Sequence, residues 1–302
     1  MARAHVRSLW TGWGALAPLP LALWPLSMAF LRGPRWDYLA FSLAVVILAY
    51  GNAWTKRFFV TLYPLALVAL VYDAMNLVRD VCVTPERLHI CDLRALDMML
   101  VRVDVNGVPG TVHDWLQPHA TLALDLLCAL PYGTFIFATL AFATYLYTRD
   151  RGALQRFGWT FLLVNVAGFV TYHLYPAAPP WYFHTHGCAV DLATRASEGP
   201  NLARLDAWLG TSYFKALFGR SSDVFGSVPS LHVAYPMMTL LGGWRVYGAV
   251  ARSLTVVFVG LMCFAAVYLD HHWIIDVILG IAYAYVGTWI VGQVSARWRA
   301  MR

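Results

Sequence analysis

The sequence predicts an all-α, polytopic membrane protein with about eight transmembrane helices, and three observations predict it. Of 302 residues, 60% are hydrophobic and only 13% are charged, roughly half the charged fraction of a soluble chain. Apolar runs of about 20 residues recur, the length of helix that crosses the hydrocarbon of a bilayer. None of these runs alternates apolar and polar positions, which excludes a transmembrane barrel and leaves helices to satisfy the backbone in lipid.

The runs place helices near 15–31, 37–54, 58–78, 119–147, 157–176, 229–246, 252–269 and 273–294. Pro18, Pro20 and Pro25 interrupt the first of them, where a ring without an N–H would break the ladder. Met1 to Arg7 is basic and precedes that run without a small-residue cleavage site, so the run is read as a retained helix. Two polar regions, 79–118 and 177–228, break the pattern, and there is no internal repeat or low-complexity tract. The expected organisation is an N-terminal pair of helices, 1–57, followed by a six-helix membrane domain, 58–302.

The net charge of +6 does not point to nucleic acid. Basic residues cluster in short connectors: Arg3 and Arg7, Lys56-Arg57, Arg149, Arg151 and Arg156, Arg245 and Arg252, then Arg297, Arg299 and Arg302. Short basic connectors stay in the cytoplasm. Both termini are then cytoplasmic, and the two long polar regions face the periplasm, the cell exterior or a lumen. The expected location is a bacterial inner or plasma membrane. Cys82 and Cys91 share one of the long regions and can pair there if it meets an oxidising compartment. The five cysteines have no metal-ligand spacing, and His184-x-His186 lacks a third ligand, so neither a metal nor another cofactor is expected.

This topology brings three polar stretches, 172–186, 223–232 and 268–276, to one membrane boundary. The last contains Asp270-His271-His272-Trp273-Ile274-Ile275-Asp276. His272 and Asp276 are four apart and would share one helix face, where a carboxylate holds an imidazole tautomer and raises its nucleophilicity. The middle stretch contains Val228-Pro229-Ser230-Leu231-His232. Pro229 suits a first helical turn with Ser227 or Val228 as cap. A helix N-terminus suits a phosphate, Ser230 adds a hydroxyl, and His232 can reach the same anion. Two histidines divide phosphoryl transfer between a nucleophile and a general acid and base. A transporter would instead place its polar residues near the bilayer midplane.

Pro229-Ser230-Leu231-His232 and His272-Trp273-Ile274-Ile275-Asp276 resemble the second and third signatures of the type-2 phosphatidic acid phosphatase superfamily. Four further features resemble the inositol phosphorylceramide synthase branch: Tyr175 to Tyr182, Asn201 to Asp206, Val224 to His232 and the His271-His272 doublet. Leu124-Asp125 to Pro131-Tyr132 is a fainter echo of the same branch. The resemblance covers about residues 110–290. It implies a six-helix core, His272 as nucleophile, Asp276 as its orienting carboxylate and His232 as general acid and base, with Ser230 at the phosphate. It implies transfer of a phospho-head group from a phospholipid donor, phosphatidylinositol, to a lipid acceptor such as ceramide. The alternative is a phosphatase that hands the group to water.

The sequence departs from the superfamily in two places. Ala265 and Ala266 stand where a Ser-Arg pair is expected, and the first signature, a lysine followed by Arg-Pro, is missing. Neutralisation of the phosphate must come from elsewhere, first from Arg204 and then from Lys215 or Arg220. Asp73 and Arg79, near the non-cytoplasmic end of the third helix, are candidate head-group contacts because ionisable residues inside a span are functional candidates. Tyr175 and His271 complete the expected substrate contacts.

Overall fold

The computed structural model describes residues 2–196, 202–218 and 224–301 and contains two compact units, Met1–Ala74 and Met75–Arg302. Six segments among the described residues are long and apolar enough to cross a membrane: Gly12–Leu31, Ala53–Met75, Leu122–Arg149, Arg151–Leu174, Ala249–Tyr268 and Ile274–Ala300. The chain is an integral membrane protein. Large apolar side chains on the outside of these helices, such as Val250, Leu254, Ile278, Tyr285 and Val286, are what lipid, rather than water, would solvate.

The first unit begins with α1 (Ala2–Leu9), a short helix that the apolar pattern did not predict, and continues through α2 (Leu19–Arg32) and α3 (Trp36–Tyr50) into α4 (Ala53–Cys82). Pro18 is the N-cap of α2 and Pro20 sits in its first turn, positions where a missing N–H costs nothing. These prolines therefore start the helix, and only Pro25 lies inside it. Leu21, Ala22, Val45, Ala49 and Phe59 form the buried centre of this unit. The Trp10 indole donates to the Ala49 carbonyl at 2.9 Å, and the Lys56 ammonium lies 4.5 Å from the Trp10 ring centroid.

The second unit holds the site. Its long helices are α7 (Leu122–Arg149), α8 (Arg151–Leu174), α13 (Ala249–Tyr268) and α14 (Ile274–Ala300), with the shorter α12 (Leu231–Gly243) among them. Thr121 accepts from the Leu124 N–H to open α7, and Asp150 accepts from the Ala153 N–H to open α8, as N-caps do. The described parts of the polar regions are structured. They contain α5 (Cys91–Leu100), α6 (Val112–Leu116), α9 (Pro180–His186), α10 (Ala203–Leu209) and α11 (Tyr213–Phe218).

Between α5 and α6, β1 (Val103–Val105) and β2 (Val108–Gly110) form an antiparallel hairpin, so the expectation of an all-α chain is corrected by this one small sheet. Asn106 and Gly107 turn it with φ of 57° and 84°, the left-handed pair that a two-residue hairpin loop requires and that Asn-Gly supplies.

The pairing of Cys82 with Cys91 is also corrected. Cys91 bonds to Cys188, with Cα atoms 5.6 Å apart, and Cys82 is free. The reason lies just before Cys91. The His89 N–H donates to the Pro176 carbonyl and the Ala178 N–H returns to the His89 carbonyl, both at 2.9 Å. That pairing carries Cys91 toward the segment after α9 and away from the end of α4. Replacing Cys91 and Cys188 together by serine is expected to cost about 2–4 kcal/mol of stability. Thermal unfolding measures it, and reductant should reproduce the loss in the wild type while leaving the double variant unchanged.

Candidate active site

Two isolated parallel bridges join the polar stretches: His89 pairs with Ala177, and Ala177 with Gly226. The Ala177 N–H donates to the Phe225 carbonyl at 2.7 Å, and the Trp181 N–H to the Asp270 carbonyl at 3.0 Å. The stretches around 177, 226 and 270 are thus stitched together by backbone.

At their meeting point stand the two histidines. Nδ1 of His232 lies 3.0 Å from Nε2 of His272. On the other edge of the His272 ring, Nδ1 lies 3.0 Å from the Ser227 carbonyl oxygen. A carbonyl only accepts, so Nδ1 of His272 carries the proton and Nε2 presents a lone pair when the ring is neutral. His232 Nδ1 then donates to that lone pair. With the His272 ring neutral, an unprotonated nitrogen faces a protonated one, which is what a nucleophile and a leaving-group acid require.

Asp276 reaches His272 differently from the sequence expectation. His272 precedes α14, so the two do not share a helix face; Asp276 sits in the first turn and leans back. Its Oδ2 is 3.5 Å from His272 Nδ1, accepts from the Trp273 N–H at 2.9 Å and accepts from the Ser227 hydroxyl. Asp276 is fully buried, as is most of the His272 ring. The Ser227 carbonyl is the closer orienting group. Sequence reasoning missed it because a backbone oxygen has no side-chain signature.

Helix α12 begins later than expected. Ser230, not Ser227 or Val228, is the N-cap, and its oxygen accepts from the Val233 N–H at 3.3 Å. Ser230 is fully buried, and its own N–H donates to the Asp276 carbonyl at 2.9 Å. The Tyr132 ring stacks on His232 at 4.8 Å between centroids and tilts against His271 at 5.3 Å. Phe135 meets His232 at 4.9 Å. Burial, followed by the neighbouring His272, pushes His271 down to about 3, so this ring is neutral near pH 7 and offers hydrogen bonds, not charge.

The remaining expected contacts are distributed. Arg204 grips Asp125 with both arms of its guanidinium, Nε to Oδ2 at 3.0 Å and Nη2 to Oδ1 at 2.8 Å, and the Tyr268 hydroxyl donates to the same carboxylate at 2.8 Å. The Lys215 side chain is exposed on α11, and the backbone N–H of Lys215 donates to Asp206 at 2.9 Å. The Tyr175 hydroxyl donates to Asp92 at 3.3 Å, and its ring stacks on His89 at 3.7 Å. Arg79 lies in the last turn of α4. Asp73 belongs to the N-terminal unit, where the Trp24 indole donates to it at 3.0 Å. Arg220 and Asn201 lie outside the described residues.

A second polar group flanks the histidine turn. His184 stands between Asp270, 2.5 Å from its Nδ1, and Asp114, 3.1 Å from its Nε2. Burial opposes charge on His184, but the hydrogen bonds and attraction of Asp270 and Asp114 outweigh it, and its pKa rises above the ordinary histidine value. Burial also opposes charge on Asp270 and Asp114, but the attraction of His113 and His184 at Asp270, and the hydrogen bonds of Arg94, the Thr111 N–H and His184 at Asp114, outweigh it and hold both carboxyls low. The stabilisation from a charged His184 is therefore fully present below the unfolded histidine pKa near 6.5. It is lost as pH rises through the raised folded value. Wild-type melting temperature is expected to fall over that range, and His184→Gln should flatten the fall. Thermal unfolding between about pH 6 and 9 measures both.

The PAP2 superfamily pattern matches residues 105–290, a span that contains His232, His272, Ser227 and Asp276. The chain belongs to the PAP2 superfamily. It is 32% identical over 272 residues, 88% of this chain and 87% of the relative, to the phosphoinositol dihydroceramide synthase of Bacteroides thetaiotaomicron. It is 32% identical over 180 residues to the catalytic subunit of inositol phosphorylceramide synthase of Saccharomyces cerevisiae, covering 57% of this chain and 43% of that one. It is 36% identical over 126 residues to inositolphosphotransferase 1 of the same yeast, covering 40% and 24%. The chain thus spans less than half the length of these yeast relatives. No solved structure matches it. In this member of the superfamily, Ala265 and Ala266 pack fully buried in α13, and the Ala266 carbonyl accepts from the N–H groups of both His271 and His272. The α14 N-terminus is taken by carboxylates, since Asp97 accepts from the Ile274 N–H at 2.8 Å and Asp276 from that of Trp273. The start of α12 lies beside the pair in sequence, with Ser230 as its cap two residues before His232.

Proposed function

We propose that the protein is a membrane phosphotransferase that moves phosphoinositol from phosphatidylinositol to the hydroxyl of a ceramide or dihydroceramide. The observation that carries this reading is the 3.0 Å approach of His232 Nδ1 to His272 Nε2 with the Ser227 carbonyl fixing the tautomer. The names of the relatives supply the substrate class.

The phosphorus enters between the two rings. His272 Nε2 attacks it, the bond to the diacylglycerol oxygen breaks, and His232 Nδ1 gives that oxygen its proton. The head group is now joined to His272 through a P–N bond. Asp276 and the Ser227 carbonyl face the cationic ring that results, and the start of α12 faces the phosphate oxygens. In the second half, the acceptor hydroxyl returns a proton to His232 Nδ1 while its oxygen attacks phosphorus. The P–N bond breaks, and the lone pair returns to Nε2. In this reading Ser230, Arg204, Lys215, Arg220, Tyr175, His271 and Arg79 serve the head group or the acceptor.

The chain is read as crossing the membrane eight times, with Trp36–Tyr50 and Leu231–Gly243 added to the six longer spans. Residues 1–57 form the leading pair and 58–302 the catalytic domain. The site faces the periplasm or exterior and both termini face the cytoplasm. The Cys91–Cys188 bond supports that orientation, because disulfides persist in oxidising compartments. Purified protein given head-group-labelled phosphatidylinositol should label ceramide when ceramide is present. Label appearing only in water-soluble inositol phosphate, with or without ceramide, would make the protein a phosphatase instead.

A further inference from the structure

The mechanism uses the two rings and their immediate supports, yet the turn that carries His271 and His272 is held by a polar chain, buried at Asp97, His113 and Asp270, that the mechanism does not touch. Asp270 opens that turn. Its backbone has φ of 63°, a left-handed conformation that non-glycine residues seldom adopt. The reversal lets the His271 and His272 N–H groups reach back to the Ala266 carbonyl at 3.2 and 3.0 Å.

The Asp270 carboxylate is buried, with the residue 1% exposed. Its Oδ1 lies 3.0 Å from His113 Nδ1, and its Oδ2 lies 2.5 Å from His184 Nδ1. Beyond His113, which is fully buried on α6, Nε2 faces Asp97 Oδ2 at 3.8 Å, and the other oxygen of Asp97 caps the Ile274 N–H. Beyond His184 on α9, Nε2 meets Asp114 Oδ1, and Asp114 is held by Arg94 at 2.8 Å. The series therefore runs Asp97, His113, Asp270, His184, Asp114, Arg94, hydrogen-bonded from Asp270 to Arg94 and joined at its other end by the approach of His113, neither nitrogen of which completes a hydrogen bond. It grips the backbone on both sides of His272, at Asp270 before it and Ile274 after it. The Cys91–Cys188 bond links the start of α5, which carries Arg94 and Asp97, to the segment just after α9, which carries His184.

A buried carboxylate such as that of Asp270 is a poor way to gain stability, because desolvation consumes most of the attraction. They do fix geometry, and the geometry fixed here is that of His272. We infer that Asp270 is a positioning residue for head-group transfer, acting through His113 and His184 to hold the turn that aims His272 Nε2 at the phosphorus. The inference rests on the reading of His272 and His232 as the reacting pair.

Asp270→Asn keeps the shape and removes the charge that both imidazoles share. Turnover of labelled phosphatidylinositol, counted as head group released to any acceptor, is expected to fall about 10²-fold in kcat, the scale of a misplacement near 1 Å. The donor KM should stay within about twofold of wild type. His184→Gln, at the more exposed end of the chain, should lose about 10-fold, and the double variant should be no slower than Asp270→Asn alone, as members of one unit are not additive. Imidazole added to His184→Ala should restore part of the rate, which a merely structural loss would not allow.

Wild-type kcat in Asp270→Asn would overturn the inference, as would a rise in KM that accounts for the whole loss. If Asp270→Asn does not fold, His184→Gln and the imidazole rescue of His184→Ala decide. His272→Ala run in the same assay separates the two readings. An inactive His272→Ala beside a fully active Asp270→Asn removes only this inference, whereas an active His272→Ala removes the reacting pair itself.

Discussion

His272→Ala is expected to lose phosphoinositol transfer by about 10⁵-fold, the scale of removing a nucleophile from a covalent mechanism. The ring is almost fully buried and touches the Ser227 carbonyl and His232, so the variant leaves a small cavity and should remain folded. His232→Gln is expected to lose less, about 10²–10⁴-fold, because it removes a proton donor and acceptor and leaves the attacking nitrogen in place. The double variant should be little worse than His272→Ala. The measurement is the initial rate with head-group-labelled donor in mixed lipid micelles, together with acid-labile label on the protein. Label should appear on wild type given donor without acceptor and be absent from His272→Ala. Head-group transfer retained in His272→Ala would sink the mechanism.

The pair itself was legible in the sequence for a physical reason. A mostly apolar chain must export its polar residues to the membrane boundary, so two histidines in Ser-Leu-His and His-Trp-Ile-Ile-Asp settings are conspicuous, and alternating topology brings them to one side. The supports of the pair were not legible. The tautomer is set by the Ser227 carbonyl, and the approach of that carbonyl depends on the bridge of Ala177 to Gly226, two irregular segments far apart in sequence. The Cys91–Cys188 bond spans 97 residues and follows from the same bridging.

Other features carried signals that went unread. Asn106-Gly107 between alternating residues marks a hairpin, and Thr111-x-x-Asp114 is a capping box. His184 and Asp270 each read as a boundary residue in sequence, and only their contact shows a shared purpose. Arg204 shows the opposite failure, since its candidacy as a phosphate ligand must now be weighed against a carboxylate that already occupies its fork.

Gly280→Ala is expected to slow turnover about 10²-fold without touching a reacting group. Gly280 lies in α14 one turn beyond Asp276, where α12 begins against it. A Cβ there would stand 2.3 Å from the Ser230 carbonyl oxygen, which is backbone and has no rotamer to give. Alanine gains about 1 kcal/mol of helix propensity, while overpacking of this kind costs about 1–3 kcal/mol. The two nearly cancel in stability, so the fold should survive with a modestly lower melting temperature. Geometry has no such compensation. Ser230 caps the helix that carries His232, and its N–H is tied to the Asp276 carbonyl, so any retreat of Ser230 from α14 moves His232 away from His272. Gly292, on the same helix, has nothing within 4 Å of its added Cβ, and Gly292→Ala should keep wild-type turnover and melt slightly higher. Steady-state kcat and thermal unfolding of the two variants, side by side, separate a general effect of alanine in α14 from one at the crossing. Equal kcat in both would mean that the contact of α12 with α14 does not set the distance between the two histidines.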